Sequence, residues 1–447
     1  MNKPTRDLTT GPVTPLLIGM AVPMVWGILS MIIISLGDIY FIGQLGSKEL
    51  AALSFAFPIV MIFGRLSRGM GTGAGSVIAR SIGAGDQQAV ERLCRDSLIL
   101  SLIVMVIFAA LGLATIDLMF GLMGASPEIL IYIHQYIEVW YFGAIFLAIP
   151  MSGNAILRAA GNARAPSQIM IFTSAINLAL APVLIFGLIG FPAMGIMGAA
   201  VATIAARALS VILTLYILVY RESLLKFSIP SWDDFVLSSR SILHVGLPAA
   251  VSAMIIPLSG AVLIRFMADY GTDAVAAFGM VTRIEALAMV PLLAIAGSIA
   301  PFVGQNFGAK KYHRIGEGLK SAAMLTTLCS VIIAIVFFIF STPIISLFNN
   351  ELGVLSIAND FLLIVPISFM GAGLVVMTSA SCNALGKPRT AVTLAIARFV
   401  VFLIPLALIM GNYLGYVGVF WAMFLSNFIA AVVAVIILRG LPGIKNP

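Results

Sequence analysis

The sequence predicts an all-α polytopic membrane protein with twelve transmembrane helices in two pseudo-two-fold-related six-helix lobes. Three observations carry this expectation. Of 447 residues, 61% are hydrophobic and only 10% charged, where a soluble domain carries about a quarter charged residues. Mean hydropathy is +1.11, and apolar runs of about twenty residues recur along the whole length, each enough to cross the hydrocarbon core as a helix. Finally, the loop charges and several short motifs keep one register through both halves of the chain.

The spans are expected at 13–43, 50–79, 97–123, 128–156, 165–187, 194–219, 241–267, 274–304, 320–348, 353–382, 389–411 and 415–438. The longer ones exceed the core thickness and must tilt, kink or project beyond it. Basic residues sort by loop parity. One side receives Lys3, Arg6, Arg80, Arg92, Arg95, Arg158, Arg164, Arg221, Lys226 and Arg240 from the first half. From the second half it receives Lys310, Lys311, Arg314, Lys320, Lys387, Arg389, Arg439 and Lys445. The opposite loops hold only Lys48, with acids such as Asp269, Asp273 and Glu351. By the positive-inside rule both termini are cytoplasmic.

The polar connector YRESLLKFSIPSWDDFVLSSR, 220–240, reads as a cytoplasmic linker between an N-terminal lobe, 1–219, and a C-terminal lobe, 241–447. The lobes are related in sequence. LGSKELAAL (45–53) aligns with YGTDAVAAF (270–278), and LRAAGNARAP (157–166) with CNALGKPRTA (382–391). SIGAGDQQAVERL (81–93) aligns with NFGAKKYHRIGEGL (306–319) with one extra residue, and all three matches share an offset of 225. With six spans each, both halves enter the membrane from the same side, so they are related by a pseudo-two-fold axis along its normal. Such paired bundles around a central cavity form a common transporter architecture, although duplication alone also makes a large packed bundle.

Charges at membrane depth cost about 2.5–3.5 kcal/mol on insertion scales, so each is a functional candidate. Asp38 is the sharpest, because it is the only acid in the first span and its repeat counterpart is Leu263. A carboxyl group that loses water takes up a proton more readily. Pro23 lies fifteen residues earlier on the same helix, where a missing backbone hydrogen bond permits a bend; packing also accounts for it. Asn154 and Asn177 either bond neighbouring helices or line a wet cavity. Arg65, Arg68, Glu138, Arg207, Arg283, Glu285 and Arg398 complete the intramembrane set, read as structural ion pairs or cavity lining. Arg283 and Glu285, two apart, do not share a helix face and pair elsewhere. The 22 methionines and 28 phenylalanines pack, face lipid or give a cavity an adaptable apolar wall.

Several classes are excluded. Cys94, Cys329 and Cys382, and His134, His244 and His313, have no metal-ligand spacing. No GxxxxGK[ST] loop supports direct ATP drive, and no selectivity-filter motif supports a channel. No HExxH or paired acid motif supports a membrane enzyme. The +7 formal charge belongs to the loops, so no nucleic-acid partner is expected, and MNKPTRDLTTGP does not resemble a cleaved signal peptide.

The segment GDIYFIGQLGSKELAALS, the run GTGAGSVIARSIGAGD, LRAAGNARAP, and INLALAPVLIFG followed by MGIMGAAVAT resemble the multidrug and toxic compound extrusion (MATE) family, in its DinF-like branch. The resemblance covers nearly the whole chain. It implies two six-helix lobes and cation-coupled export of amphipathic, often cationic compounds by a protein of the bacterial inner membrane, expected to be monomeric. It implies that Asp38 is the coupling carboxylate, with Pro23 as the bending point. Asn154 and Asn177 would be polar residues of the first-lobe cavity, to which Met31, Ile34, Ser35 and Thr203 are added as its wall. The chain departs from the pattern at Ala181, where DinF-like proteins often carry a second acid four residues after the asparagine. A sodium site gathers several oxygen ligands, so the missing carboxylate favours proton coupling with sodium as the alternative. The second-lobe carboxylates of other branches have no convincing match, which leaves Arg283, Glu285 and Arg398 as second-lobe candidates. A flippase or exporter for lipid-linked precursors or anionic metabolites is the alternative that the intramembrane arginines suit.

Overall fold

The computed structural model describes residues 7–226 and 228–444; Lys3, Arg6 and Lys445 lie outside the described residues. Among these, twelve helices are long and apolar enough to cross a membrane. They are α1 (Val13–Gly43), α2 (Lys48–Ala84), α3 (Gln87–Ala114), α4 (Pro127–Ala159), α5 (Arg164–Phe186) and α6 (Gly195–Arg221) in the first half. The second half has α7 (Trp232–Ala268), α8 (Val290–Gly308), α9 (Tyr312–Ser346), α10 (Leu352–Ala384), α11 (Pro388–Leu414) and α12 (Tyr416–Arg439). No strand occurs among the described residues.

Four expected boundaries are corrected, one of them the start of α9, at Tyr312 and not 320. Helix α3 begins at Gln87, ten residues before the apolar run, because the Asp86 side chain accepts a hydrogen bond from Ala89 N–H at 2.9 Å and caps the helix. Helix α7 begins at Trp232, inside the expected linker, where Ser231 Oγ accepts from Asp234 N–H at 3.3 Å. Arg92, Arg95 and Arg240 therefore stand on helices, not in loops, and so do Arg314 and Lys320 on α9. The eighth expected span is two helices, Thr272–Ala288 and α8, separated at Met289 just before Pro291; a proline at the start of a helix forgoes no internal bond.

The repeat recurs in the backbone. Left-handed residues occur as the pairs Gly46 and Gly271, Gly85 and Lys310, Gly161 and Gly386, and Gly190 and Gly415, each 225 apart. At two of these pairs the helix ends alike. Asp86 N–H donates to Ser81 O and Lys311 N–H to Asn306 O, while Asn162 N–H donates to Leu157 O and Lys387 N–H to Cys382 O, all at 2.8–3.1 Å. These are six-to-one closures, which need a left-handed residue just before the donor. Glycine supplies that conformation at Gly85, whereas Lys310 adopts it with φ +58°.

Close packing divides the chain into two compact units, one of residues 26–82 and 86–250, the other of residues 8–25, 83–85 and 251–444. The divisions inside α1 and α7 fall after Val25 and after Ala250, again 225 apart, two residues beyond Pro23 and Pro248.

In the first unit α2 is the central post. Its run RGMGTGAG presents small residues on two faces. A methyl at Gly73 would lie 2.3 Å from the Ile242 carbonyl oxygen of α7, and one at Gly71 would lie 2.9 Å from the Met151 carbonyl oxygen of α4. Small residues at this spacing let helix backbones approach closely. Above them Phe63 meets Trp140 edge-on at 5.4 Å, inside a core that includes Phe120, Tyr141 and Ile185. At the other end, Arg92 pairs with Asp234 at 2.9 Å and Lys226 with Glu91 at 2.9 Å.

The second unit is built around Phe278, Phe361 and Phe420, with Phe361 edge-on to Phe420 at 5.2 Å. Its described N-terminal segment is pinned by polar contacts. Leu8 N–H donates to Gln305 Oε1 at 3.1 Å and Asn306 Nδ2 donates to Leu8 O at 3.1 Å. Lys311 Nζ donates to Thr9 O at 2.9 Å, and Arg314 Nη2 to Gly11 O at 3.0 Å. Lys311 and Arg314, read as loop charges by position, therefore also hold backbone.

Candidate functional site

Helix α1 runs beside α5 in parallel register. A methyl at Gly27 would stand 3.2 Å from Ser167, Ser174 Oγ donates to Ser30 Oγ at 3.2 Å, and a methyl at Gly37 would stand 2.5 Å from Leu178. This register brings the half-buried Asp38 to the level of Asn177. The Asn177 side chain is buried; its Nδ2 donates to Thr203 Oγ1 on α6 at 3.2 Å, and Thr203 in turn donates to Ala199 O at 3.0 Å. One turn beyond Thr203 stands Arg207, whose guanidinium lies 5.0 Å above the Trp140 ring. Arg207 is the cation whose field reaches Asp38, and the Tyr136 phenol lies within reach of both.

The site is left with unspent hydrogen-bonding capacity. Asn177 Oδ1 and Arg207 Nη1 are buried without a hydrogen-bond partner. A buried polar atom of this kind costs about 1–3 kcal/mol. Ala181, one turn past Asn177, is fully buried, and no second carboxylate joins Asp38 there.

Other expected residues fall differently. Asn154 Oδ1 is also buried and unpartnered, but a methyl at Gly153 would meet Thr214 and one at Gly143 would meet Ile204. That register sets Asn154 about twelve residues, roughly 18 Å, along α4 from the level of Thr203. Met31 and Ser35 are exposed on α1 and Ile34 is half-buried. Glu138, three turns into α4, is taken up by His134, whose Nδ1 it bonds at 2.6 Å while His134 Nε2 bonds Asp117 at 2.9 Å. Pro23 lies within an uninterrupted α1.

The second unit has its own polar cluster. Arg398 sits in a π-helical turn, Ala397–Leu403, and faces Glu285. Arg398 Nε donates to Asn427 Oδ1 at 2.9 Å, and Asn427 Nδ2 donates to Ser368 Oγ at 2.8 Å. Arg283 is exposed and takes no part. Asn427 and Ser368 escaped the sequence reading, although an amide inside the apolar run of α12 is the same signal that singled out Asn177. Tyr136 and Trp140 gave no such signal, because aromatic residues are ordinary in an apolar helix. Among the described residues no group of three or more His, Cys, Asp or Glu side chains is placed to hold a metal ion.

Comparison with known proteins agrees with this architecture. The MatE family model matches the chain twice, over residues 23–183 and 248–409, and the two matches begin 225 residues apart. The chain is 32% identical over 431 residues to the FAD transporter of Shewanella oneidensis, covering 96% of this chain and 95% of that one. It is 26% identical to the probable multidrug resistance protein YoeA of Bacillus subtilis, covering 88% of each. Among solved structures, the Vibrio cholerae MATE transporter VcmN in the bent form superposes with a TM-score of 0.91 at 30% identity, covering 97% of each chain. A MOP superfamily transporter from Pyrococcus furiosus, described as having a binding pocket of reversed polarity, superposes at 0.89 with 26% identity, covering 100% of this chain and 99% of that one. This chain belongs to the MATE family of multidrug efflux transporters, multi-pass membrane proteins that move small substrates and are not enzymes.

Proposed function

We propose that this protein is a secondary antiporter of the bacterial inner membrane, exporting small amphipathic compounds in exchange for inward proton flow. The observation that supports this reading is Asp38, a lone half-buried carboxylate at the level of Asn177 and within the field of Arg207. With Asp38 ionised, the two charges balance. Protonation leaves the guanidinium uncompensated and changes which arrangement of the surrounding helices is favoured. A proton that binds two conformations unequally shifts the population between them. Sodium coupling is less well served. A sodium ion needs several oxygen ligands, Ala181 supplies none, and the fixed Arg207 charge opposes a second cation nearby. Both termini are taken as cytoplasmic and the protein as a monomer.

A second reading concerns the substrate. Arg65 and Arg68 share a face of α2, Arg68 is exposed, and Arg158 on α4 lies within the field of Arg68. These cations suit a compound carrying phosphate, such as an anionic metabolite or lipid-linked precursor, and a relative sharing 32% identity is named for FAD. Proteoliposomes with an imposed proton or sodium gradient test the proposal, with a cationic dye, FAD and a lipid-linked phosphate offered separately. Proton-driven movement of the dye supports the first reading, and movement of the phosphate compounds alone supports the second. Drive by sodium but not by protons defeats the coupling assignment.

A further inference from the structure

A cavity of about 580 Å³ opens between α3 and the first turns of α7, lined by Leu100, Phe235, Ser239, Arg240, Leu243 and His244. Its chemistry is graded along the helices. Arg240 and His244, one turn apart, are both exposed and present two nitrogen-rich groups on one face of α7. Beside them Ser239 Oγ is buried without a hydrogen-bond partner. Leu100 and Leu243 form its apolar wall, and beyond it Leu247, one turn past Leu243, and Ile103 and Ile107 of α3 are exposed apolar side chains. No other function described above uses these residues.

The acids near the cavity are engaged away from Arg240. Asp234 is engaged by Arg92 at 2.9 Å and by Ser231 at 2.7 Å; Asp96 Oδ1 is engaged by Arg95 at 2.9 Å while its Oδ2 is buried without a partner, and Asp233 is exposed two turns before Arg240. Among the described residues Arg240 forms no ion pair. Depth matches as well. Helix α7 has 37 residues, about 55 Å of helix, against a hydrocarbon core of about 30 Å. Tilt or projection takes up such excess length, and exposed Trp232, tilted at 38° to Phe235, suits the polar layer at the first turns. With Trp232 at the interface, Arg240 and His244, two to three turns in, come near the level of lipid phosphates, and the leucine wall follows towards the acyl chains.

We infer that this groove is a binding site for one anionic phospholipid, its phosphate on Arg240, His244 and Ser239 and an acyl chain along Leu100, Leu243 and Leu247. A free phosphate would use only the polar end, whereas the continuous apolar wall needs a chain. The site is independent of the transported compound.

Native mass spectrometry of the full chain in detergent tests this, with phosphatidylglycerol, phosphatidylethanolamine and inorganic phosphate added in turn. Wild type is expected to retain phosphatidylglycerol preferentially. Arg240→Gln should lower that retention roughly fivefold, the worth of one basic group at an anionic lipid, and Arg240→Lys should restore most of it. Leu243→Trp, which fills the apolar wall and keeps both basic groups, should also lower it. Equal retention of the two lipids by wild type, unchanged retention in Arg240→Gln and Leu243→Trp, or displacement of the lipid by inorganic phosphate would each overturn the assignment.

Discussion

Replacing Gly73 by alanine adds one methyl where α2 meets α7. That carbon would stand 2.3 Å from the Ile242 carbonyl oxygen and 3.0 Å from the Gly246 Cα. Both are backbone atoms, so no flexible side chain can yield. Restoring ordinary contact, at about 3.4 Å or more, requires the helices to part by about 1 Å, which forfeits a quarter to a half of the attraction along the seam. Overpacking of this kind costs about 1–3 kcal/mol. The same helix provides the controls. A methyl at Gly75 would approach nothing closer than 3.5 Å, and one at Gly64 would meet nothing within 4 Å. Alanine at Gly64 should be neutral or stabilising by up to ~1 kcal/mol, because helical glycine pays extra backbone entropy. Thermal unfolding of the purified variants in detergent measures the order. Gly64→Ala and Gly75→Ala should melt at or above wild type, and Gly73→Ala below it. Equal midpoints for all three, or Gly73→Ala as the most stable, would refute the account of α2 as a post wedged between α4 and α7.

Two further variants probe the repeat and the second cluster. Lys310→Gly should stabilise the protein by about 1 kcal/mol, since a side chain in the left-handed region carries a steric penalty and the exposed Lys310 makes no contact that offsets it; the same melting assay reads it, and a lower midpoint counts against the turn assignment. Asn427→Ala removes the acceptor of Arg398 Nε and the donor to Ser368 Oγ, and should cost about 1 kcal/mol or more by stranding a half-buried guanidinium N–H. Asn427→Asp keeps the acceptor and should lose less, so equal losses would deny the bond to Arg398 its importance.

Much of the fold was legible in the sequence because a bilayer leaves few options for the backbone. Apolar runs of span length must be helices, and the offset of 225 recurs in the left-handed turns, at Pro23 and Pro248, and in the division of both α1 and α7. What escaped was written in side chains outside the apolar runs. Asp86 and Ser231 start α3 and α7 earlier than hydropathy alone suggests, because a cap satisfies free N–H groups and lets a helix begin in polar sequence. Pro291 splits the eighth span without a side-chain cap, because its missing N–H forgoes no bond in the first turn of α8. At the site, Asp38 announced itself as a lone acid. That the field of Arg207, over Trp140, reaches Asp38 did not, since it depends on the register of α1 against α5 and of α4 against α6. Those registers are set by glycine contacts at Gly27, Gly37, Gly143 and Gly153, whose partners no single helix reveals. The same registers separate Asn154 from the cluster around Asn177.

The central claim is that the charge state of Asp38 couples a proton to export. The most direct measurement is proton-gradient-driven export by Asp38→Asn in proteoliposomes, beside wild type and with folding verified by melting temperature. Asparagine keeps the size and one oxygen but cannot change charge. The account predicts a folded protein in which imposed proton gradients drive no export above the rate without a gradient. Near-normal proton-driven export by this variant would contradict it.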